Sequence, residues 1–339
     1  MTLLLKTEGY WPGTGGEYRQ GAGLSMKKQG GNGMDSLALK TYAKINLSLD
    51  VTGVREDGYH LVRMIMQSVD LHDEMRVRYL PSEEPGIILK CNLYYVPTDS
   101  RNTAYKAAEK VMKAYPELFR KHSVRIDIKK TIPVSAGLAG GSYNAAGVIV
   151  TLNHYLDLNM DLEEMCRMGA EVGADVPFCI MTLAADPRWR IKGGATCALA
   201  EGIGEDLTPL KPVRMWGVLA KPKLSVSTAE AYRGLDELSG YPHPDTDRIL
   251  EGLREGNLPI VQRGMGNVLE NYTLKQYPEV DAIKKTMMKY NKDMTMMSGS
   301  GPTVYSLFPG RKKALMAFNR LKEEFADSGV AVFLTKTLV

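Results

Sequence analysis

"PVSAGLAGGSYNAAG", residues 133–147, is the stretch on which the reading of the whole chain turns. Before it, "SVRIDIKK" alternates apolar and polar residues and predicts a strand; after it, "YNAAGVIVTLNHYL" predicts a helix. A strand, a glycine-rich turn and a helix make a ready anion site. Glycine lets backbone approach a ligand, first-turn N–H groups lack partners, and the helix dipole favours negative charge. Ser142 adds a hydroxyl for a phosphate or a metal ion. No G-x-x-x-x-G-K-[ST] occurs here, and Gly137, Gly140 and Gly141 lack the dinucleotide spacing. On these residues alone, a phosphate cradle and a tight turn between packed elements stand equal.

Outward from the loop the pattern is dense. "LALKTYAKINLSLDV" (37–51) and "EMRVRYL" (74–80) read as strands, and "RNTAYKAAEKVMKAY" (101–115) as a helix capped by Asp99 or Ser100. "DLEEMCRMGAEV" (161–172) is a helix with Asp161 at its N-cap. "RMWGVLAKP" (214–222) is apolar enough for a buried strand. A helix around 276–290, strands "DMTMMSG" and "TVYSLF", a helix "KKALMAFNRLKEEFA" and a strand "VAVFLTKTL" complete a second α+β layer. The Gly and Pro content of 195–212 places the boundary there. Residues 1–33 are glycine-rich and short of periodic apolar residues, so they read as a flexible N-terminal extension.

Composition excludes more than it selects. The 339 residues are 44% hydrophobic, and the net charge of +4 is spread along the chain, which leaves no nucleic-acid or membrane footprint. Cys91, Cys166, Cys179 and Cys197 include no C-x-x-C pair and no neighbouring histidine cluster, so no metal site is expected. Reduced thiols, and no apolar run of about 18 residues, fit a cytoplasmic protein.

Three further segments break the tie at the loop: "AKINLSLDVTGVREDGYHLV" (43–62), "GADVPF" (173–178) and "MSGSGPTVYSLF" (297–308). With "PVSAGLAGGS" between them, and with "LAEGIGEDLTPL" (199–210), "KPKLSVSTAEAY" (221–232) and "NVLEN" (267–271), this order resembles the GHMP superfamily of small-molecule kinases. Within it, the resemblance is to the branch that phosphorylates the 2-hydroxyl of a cytidine-diphosphate-linked methylerythritol in the non-mevalonate isoprenoid pathway. Mevalonate, homoserine and sugar kinases are the alternatives inside the superfamily, and a catalytically silent nucleotide-binding paralogue is the alternative outside its chemistry.

The resemblance implies a two-domain α+β fold. A ribosomal-protein-S5-like ATP-binding domain would span 34–200, and a ferredoxin-like substrate-side domain 201–339. It implies ATP with Mg²⁺, a small cytidine diphosphate substrate, and a monomer or weak homodimer. Asp175 would be the base accepting the substrate hydroxyl's proton, although residue type alone reads it as a helix cap before Pro177. Lys44 would be its partner cation, stabilising charge on the transferring group. Asn46, two residues on along the same strand face, would orient the sugar hydroxyls. Tyr59 would stack on cytosine, His60 bond its edge, Tyr232 close the stack, and Thr228 contact substrate. Pro133, Ser135, Ala136, Gly137, Leu138, Ala139, Gly140, Gly141 and Ser142 would cradle the ATP phosphates, with "SGSGPT" (298–303) framing the site. This chain departs from the family in one respect: Tyr143 and Asn144 stand where Ser or Thr and then Asp are usual, which removes a charge expected near the phosphates. "TLAADPRWRI" (182–191) reads as an inserted surface loop.

Overall fold

The computed structural model describes residues 36–339, so the expected 1–33 extension lies outside the described residues. The described residues form one compact unit. The strands are β1 (Ser36–Val54), β2 (His60–Pro81), β3 (Ile87–Cys91), β4 (His122–Lys129), β5 (Cys197–Glu201), β6 (Asp206–Pro209), β7 (Trp216–Lys221), β8 (Gly266–Asn267), β9 (Thr295–Met297), β10 (Val304–Phe308) and β11 (Ala331–Lys336). The helices are α1 (Thr103–Ala114), α2 (Gly140–Tyr155), α3 (Leu162–Ala170), α4 (Val176–Ala184), α5 (Thr228–Asp236), α6 (Thr246–Glu255), α7 (Leu258–Gly264), α8 (Glu270–Gln276), α9 (Pro278–Asn291) and α10 (Arg311–Glu324).

Two sheets organise these elements. The first runs β3-β4-β2-β1-β8, with β5 and β6 attached to β2; the second runs β11-β7-β10-β9 and is antiparallel throughout. β1 is the strand that matters for the site. Ala43, Ile45 and Leu47 are buried in one core cluster and Leu49, beyond the bulge, in another, while Thr41, Lys44, Asn46 and Ser48 are buried polar residues. Register shifts against β2 at Tyr42/Ala43 and at Asn46/Ser48 bracket Lys44 and Asn46. Bulges of this kind re-aim side chains next to functional sites.

Helix α2 is buried almost all round, from Tyr143 to Asn153, and packs on α1, α4 and β1. A helix apolar on every side belongs in the middle of a structure. Helix α3 opens with the Asp161 cap, closed reciprocally by Glu164. On the second sheet, α9 packs against β9 and β10, and α10 against β7, β10 and β11.

Four local expectations need correction. The cap of α1 is Asn102, whose side chain accepts from Ala104 N; Asp99 is instead occupied by the backbone and guanidinium of Arg101. The helix after the loop starts at Gly140, so the last glycines are its first turn rather than its lead-in. The helix around 276–290 is the second of two, because Tyr277 ends α8 and Pro278 opens α9. Residues 182–191 are not a free surface loop. Thr182 to Ala184 finish α4, and Trp189 is 4% exposed in the core around α2, edge-on to His154.

Trp189→Ala is therefore expected to cost about 3–5 kcal/mol, the range for emptying a buried aromatic site. Urea denaturation reads it directly, and a wild-type midpoint would return the segment to the surface.

Candidate active site

The phosphate loop is held by close backbone contacts rather than by its own side chains. Ser135, Gly137 and Ala139 all have positive φ, at 50°, 71° and 55°. At Gly137 a Cβ would sit 2.2 Å from the carbonyl oxygen of Ser298, so only glycine fits. Ser298 Oγ donates to Gly137 O at 2.9 Å, and Lys44 N donates to Leu138 O at 3.1 Å. Asn267 on β8 fixes the other side, its Nδ2 donating to Met297 O and Gly299 O. Ala139, the residue before α2, makes no side-chain cap, which leaves the first-turn N–H groups of Gly140 to Ser142 facing the cleft. Thr103 Oγ1 donates to Gly141 O at 2.7 Å and ties the start of α1 to that turn.

Lys44 and Asp175 meet at the bottom of the same cleft. Lys44 Nζ lies 4.0 Å from Asp175 Oδ2, with the lysine side chain 5% exposed and the aspartate 31%. Asp175 occupies the N-cap position of α4 yet makes no capping bond, so the capping alternative fails. Its carboxylate is free for chemistry. Asn46 is placed differently from expectation. It is fully buried and off the cleft wall, with Oδ1 accepting from Lys44 Nζ at 2.8 Å and Nδ2 directed at Met64 Sδ. Its Oδ1 meets Lys44, and its amide lies behind the lysine rather than on the cleft wall.

At the other end of the cleft stand the aromatic residues. His60 Nε2 lies 2.9 Å from Asp236 Oδ1, and the His60 ring is 4.8 Å from that of Tyr232 at a tilt of 36°. Tyr59 is 60% exposed on the rim. Burial, and secondarily Asp175, push the Tyr232 phenol above its ordinary range, so it stays a neutral aromatic surface. Thr228, the first residue of α5, pairs its Oγ1 with Ser300 Oγ at 3.0 Å.

Lys44, Tyr59, His60, Asp175, Thr228 and Tyr232, but not Asn46, line one cleft of about 1060 Å³, together with Pro133 and Ser135 to Ser142. The wall also carries Arg101, Lys130, Arg233 and Ser300, which sequence reading did not select. Their signals were available: Lys130 immediately precedes the loop, Arg233 follows Tyr232, and Ser300 lies within "SGSGPT". Among the described residues the wall carries Lys44, Arg101, Lys130 and Arg233 with one carboxylate, Asp175, while Arg101 and Lys130 are paired from off the wall by Asp99 and Asp73. Such a cleft suits a ligand with several phosphates. Among the described residues no group of three acidic, histidine or cysteine side chains forms a metal cage. Asn144, where a charge was expected, is 4% exposed and bonded to Thr41, Asp73 and Lys130; the carboxylate of this network is on Asp73 of β2. Tyr143 is also buried, its hydroxyl 2.6 Å from Ser68 Oγ.

A glycine loop opening a helix, a lysine–aspartate pair beneath it and a polyphosphate-sized cationic cleft define a small-molecule kinase. Comparison with known proteins specifies it. Residues 102–182 match the GHMP kinases N terminal domain and residues 249–327 the GHMP kinases C terminal model. A 4-diphosphocytidyl-2-C-methyl-D-erythritol kinase from Clostridium botulinum (strain Alaska E43 / Type E3) is 43% identical over 88% of this chain and 99% of its own length. One from Alkaliphilus oremlandii (strain OhILAs) is 46% identical over 87% and 96%. A crystal structure of 4-(cytidine 5'-diphospho)-2C-methyl-D-erythritol kinase superposes with a TM-score of 0.70 at 29% identity, covering 89% of this chain and 99% of that one. Homoserine kinase from Cytophaga hutchinsonii, at 16% identity and TM-score 0.67, shares the fold. The chain belongs to the GHMP kinases, ATP-dependent small-molecule kinases, and within them to the 4-diphosphocytidyl-2-C-methyl-D-erythritol kinase family.

Because Gly137 combines positive φ with contact on Ser298, Gly137→Ala is expected to separate the loop from "SGSGPT". Thermal unfolding should fall by several degrees, about 1–3 kcal/mol, with ATP turnover lost in the remaining folded protein. Unchanged stability and turnover would remove the close approach from the account.

Proposed function

We propose that this chain transfers the γ-phosphoryl group of ATP to the 2-hydroxyl of 4-diphosphocytidyl-2-C-methyl-D-erythritol, in the non-mevalonate isoprenoid pathway. The observation that carries the reading is Lys44 and Asp175 at 4.0 Å in one cleft that the glycine loop, Tyr59, His60 and Tyr232 also line. The named relatives, 46% and 43% identical along nearly their whole length, support the substrate. The domain division at residue 200 belongs to the same reading, with β6 and β8 reaching back into the first sheet.

Phosphoryl transfer needs positioning and charge stabilisation above all. Asp175 takes the proton of the 2-hydroxyl as its oxygen bonds to the γ-phosphorus; the bond to the β-phosphate bridging oxygen breaks and ADP leaves. Lys44, oriented by Asn46, faces the charge on the transferring group. Backbone N–H groups of the loop hold the β- and γ-phosphates, and Ser142 adds its hydroxyl. Tyr59 and Tyr232 hold the cytosine between them, with His60 at its edge and Thr228 near the polyol. Mg²⁺ would be held chiefly by the triphosphate with the Ser142 hydroxyl as the protein oxygen, since Asp175, the one wall carboxylate among the described residues, is kept for the proton. It would neutralise phosphate charge. The four cysteines are free thiols, two of them buried, which supports a cytoplasmic setting. We further infer a monomer or weak homodimer, which sedimentation velocity reads.

Asp175→Asn is expected to lower kcat about 10²–10⁴-fold, the span for losing a general base, with substrate and nucleotide affinities retained. Wild-type turnover in that variant would refute the base, and no cytidine-substrate-dependent ADP release from folded wild type would refute the reaction. Tyr232→Ala should raise KM for the cytidine substrate about tenfold or more, as loss of one stacking face does, and leave KM for ATP in place. An unchanged KM would place the cytosine elsewhere.

A further inference from the structure

The carboxylate of Asp73 lies outside the wall of the cleft, yet it touches both ends of the phosphate loop. Asp73 sits on β2 and is fully buried. Its Oδ1 accepts from Thr131 N at 2.7 Å and Ile132 N at 2.8 Å, the two residues that lead into Pro133. Its Oδ2 accepts from Lys130 Nζ and, at 3.1 Å, from Asn144 Nδ2, in the first turns of α2. Asn144 closes the circuit, its Oδ1 taking Lys130 Nζ at 3.2 Å and its Nδ2 donating to Thr41 Oγ1 at 2.8 Å. One buried anion thus receives four donors, two before the loop, one at its entrance lysine and one after it.

We propose that Asp73 is the positioning residue of the ATP site. It fixes the span between Ile132 and Asn144, so that the loop N–H groups are already converged before nucleotide arrives. The proposal rests on the reading of this loop as the phosphate cradle. A loop held at both ends has less freedom left to lose on binding, and that difference appears as nucleotide affinity. Charge supports the same role. The Lys130 side chain is 6% exposed and borders the cleft beside Gly140, where a Cβ would lie 3.1 Å from its Nζ. A buried cation needs a paired anion. Asp73 supplies it from behind the loop, leaving the cleft side of the lysine to the ligand.

The network also accounts for Asn144. Lys130 needs one carboxylate, and positions 73 and 144 face each other within hydrogen-bond distance, so either can carry it. Exchanging the two residues keeps the charge of the network and matches its donors once Lys130 Nζ turns from position 73 to position 144, whose side-chain oxygen it already meets at 3.2 Å. An amide at position 73 would still accept from Thr131 and Ile132 through its oxygen, and its nitrogen would donate to a carboxylate at position 144. That carboxylate would in turn take Lys130 and the Thr41 hydroxyl.

That exchange is the test. Calorimetric titration of ADP, without any polyol, into wild type, Asp73→Asn and the double variant Asp73→Asn/Asn144→Asp isolates the loop from the identity of the acceptor substrate. The single variant is expected to weaken ADP at least about tenfold, the scale of an ionised acceptor lost to buried donors. The double variant should recover most of that loss. In turnover assays, KM for ATP should follow the same pattern while KM for the cytidine substrate stays fixed. ADP affinity unchanged in Asp73→Asn, or no recovery in a folded double variant, overturns the proposal. Should the single variant fail to fold, Asn144→Ala releases only the helix end of the loop, and wild-type ADP affinity there overturns it equally. If wild type binds no ADP, the phosphate-cradle reading fails; if it binds ADP without turning over the cytidine substrate, only the substrate assignment fails.

Discussion

The contact between Gly137 and Ser298 is the constraint on which the active site depends. A backbone turn at the mouth of α2 lies so close to a backbone turn between β9 and β10 that a methyl group would reach 2.2 Å from the Ser298 oxygen. The two turns come from distant parts of the chain, and β1 runs beneath both. Lys44 N bonds Leu138 O, Ser298 Oγ bonds Gly137 O, and Tyr305 Oη bonds Asn46 O at 2.6 Å. The strand that carries Lys44 is thus tied through its backbone to both frames of the cleft. Displacing either turn would move the lysine.

Much of this is legible in the chain because the relevant signals are local. Alternation in "SVRIDIKK" and the D-L-E-E start of α3 report their elements correctly, since period and capping chemistry act within a few residues. The Asp99 cap fails for an equally local reason: Asp99 prefers its own Arg101, and Asn102 is left to cap. Trp189 escapes because insertion-like composition says nothing about whether a segment folds back. Its burial depends on α2, well before it in the chain, and no periodicity reports that.

The placement of Asn46 is more instructive. Lys44 and Asn46 do share a face, as the two-residue period requires. Spacing does not show which of them reaches the cleft. The bulge between Asn46 and Ser48 and the sulfur of Met64 decide it, and both belong to the pairing of β1 with β2. Asp73 is invisible in the sequence for a related reason. Nothing in "DLHDEMRV" distinguishes it from an exposed strand carboxylate until β4 and α2 are laid against it.

β1 places a lysine where the protein satisfies it only in part. The Lys44 ammonium has three donors; Asn46 takes one, and Asp175, at 4.0 Å, stands beyond hydrogen-bond length. A side chain 5% exposed carries a desolvation penalty that this arrangement offsets incompletely. Leu49, Val62 and Met64 give the cleft wall an apolar stretch. In the proposed reaction the lysine would meet the transferring phosphoryl group, whose three equatorial oxygens share negative charge. A carboxylate held in tight contact would have removed that demand and made the lysine indifferent to its ligand. Under the proposed reaction, the 4.0 Å separation leaves Asp175 able to take a proton and Lys44 able to meet a phosphate, with neither committed to the other.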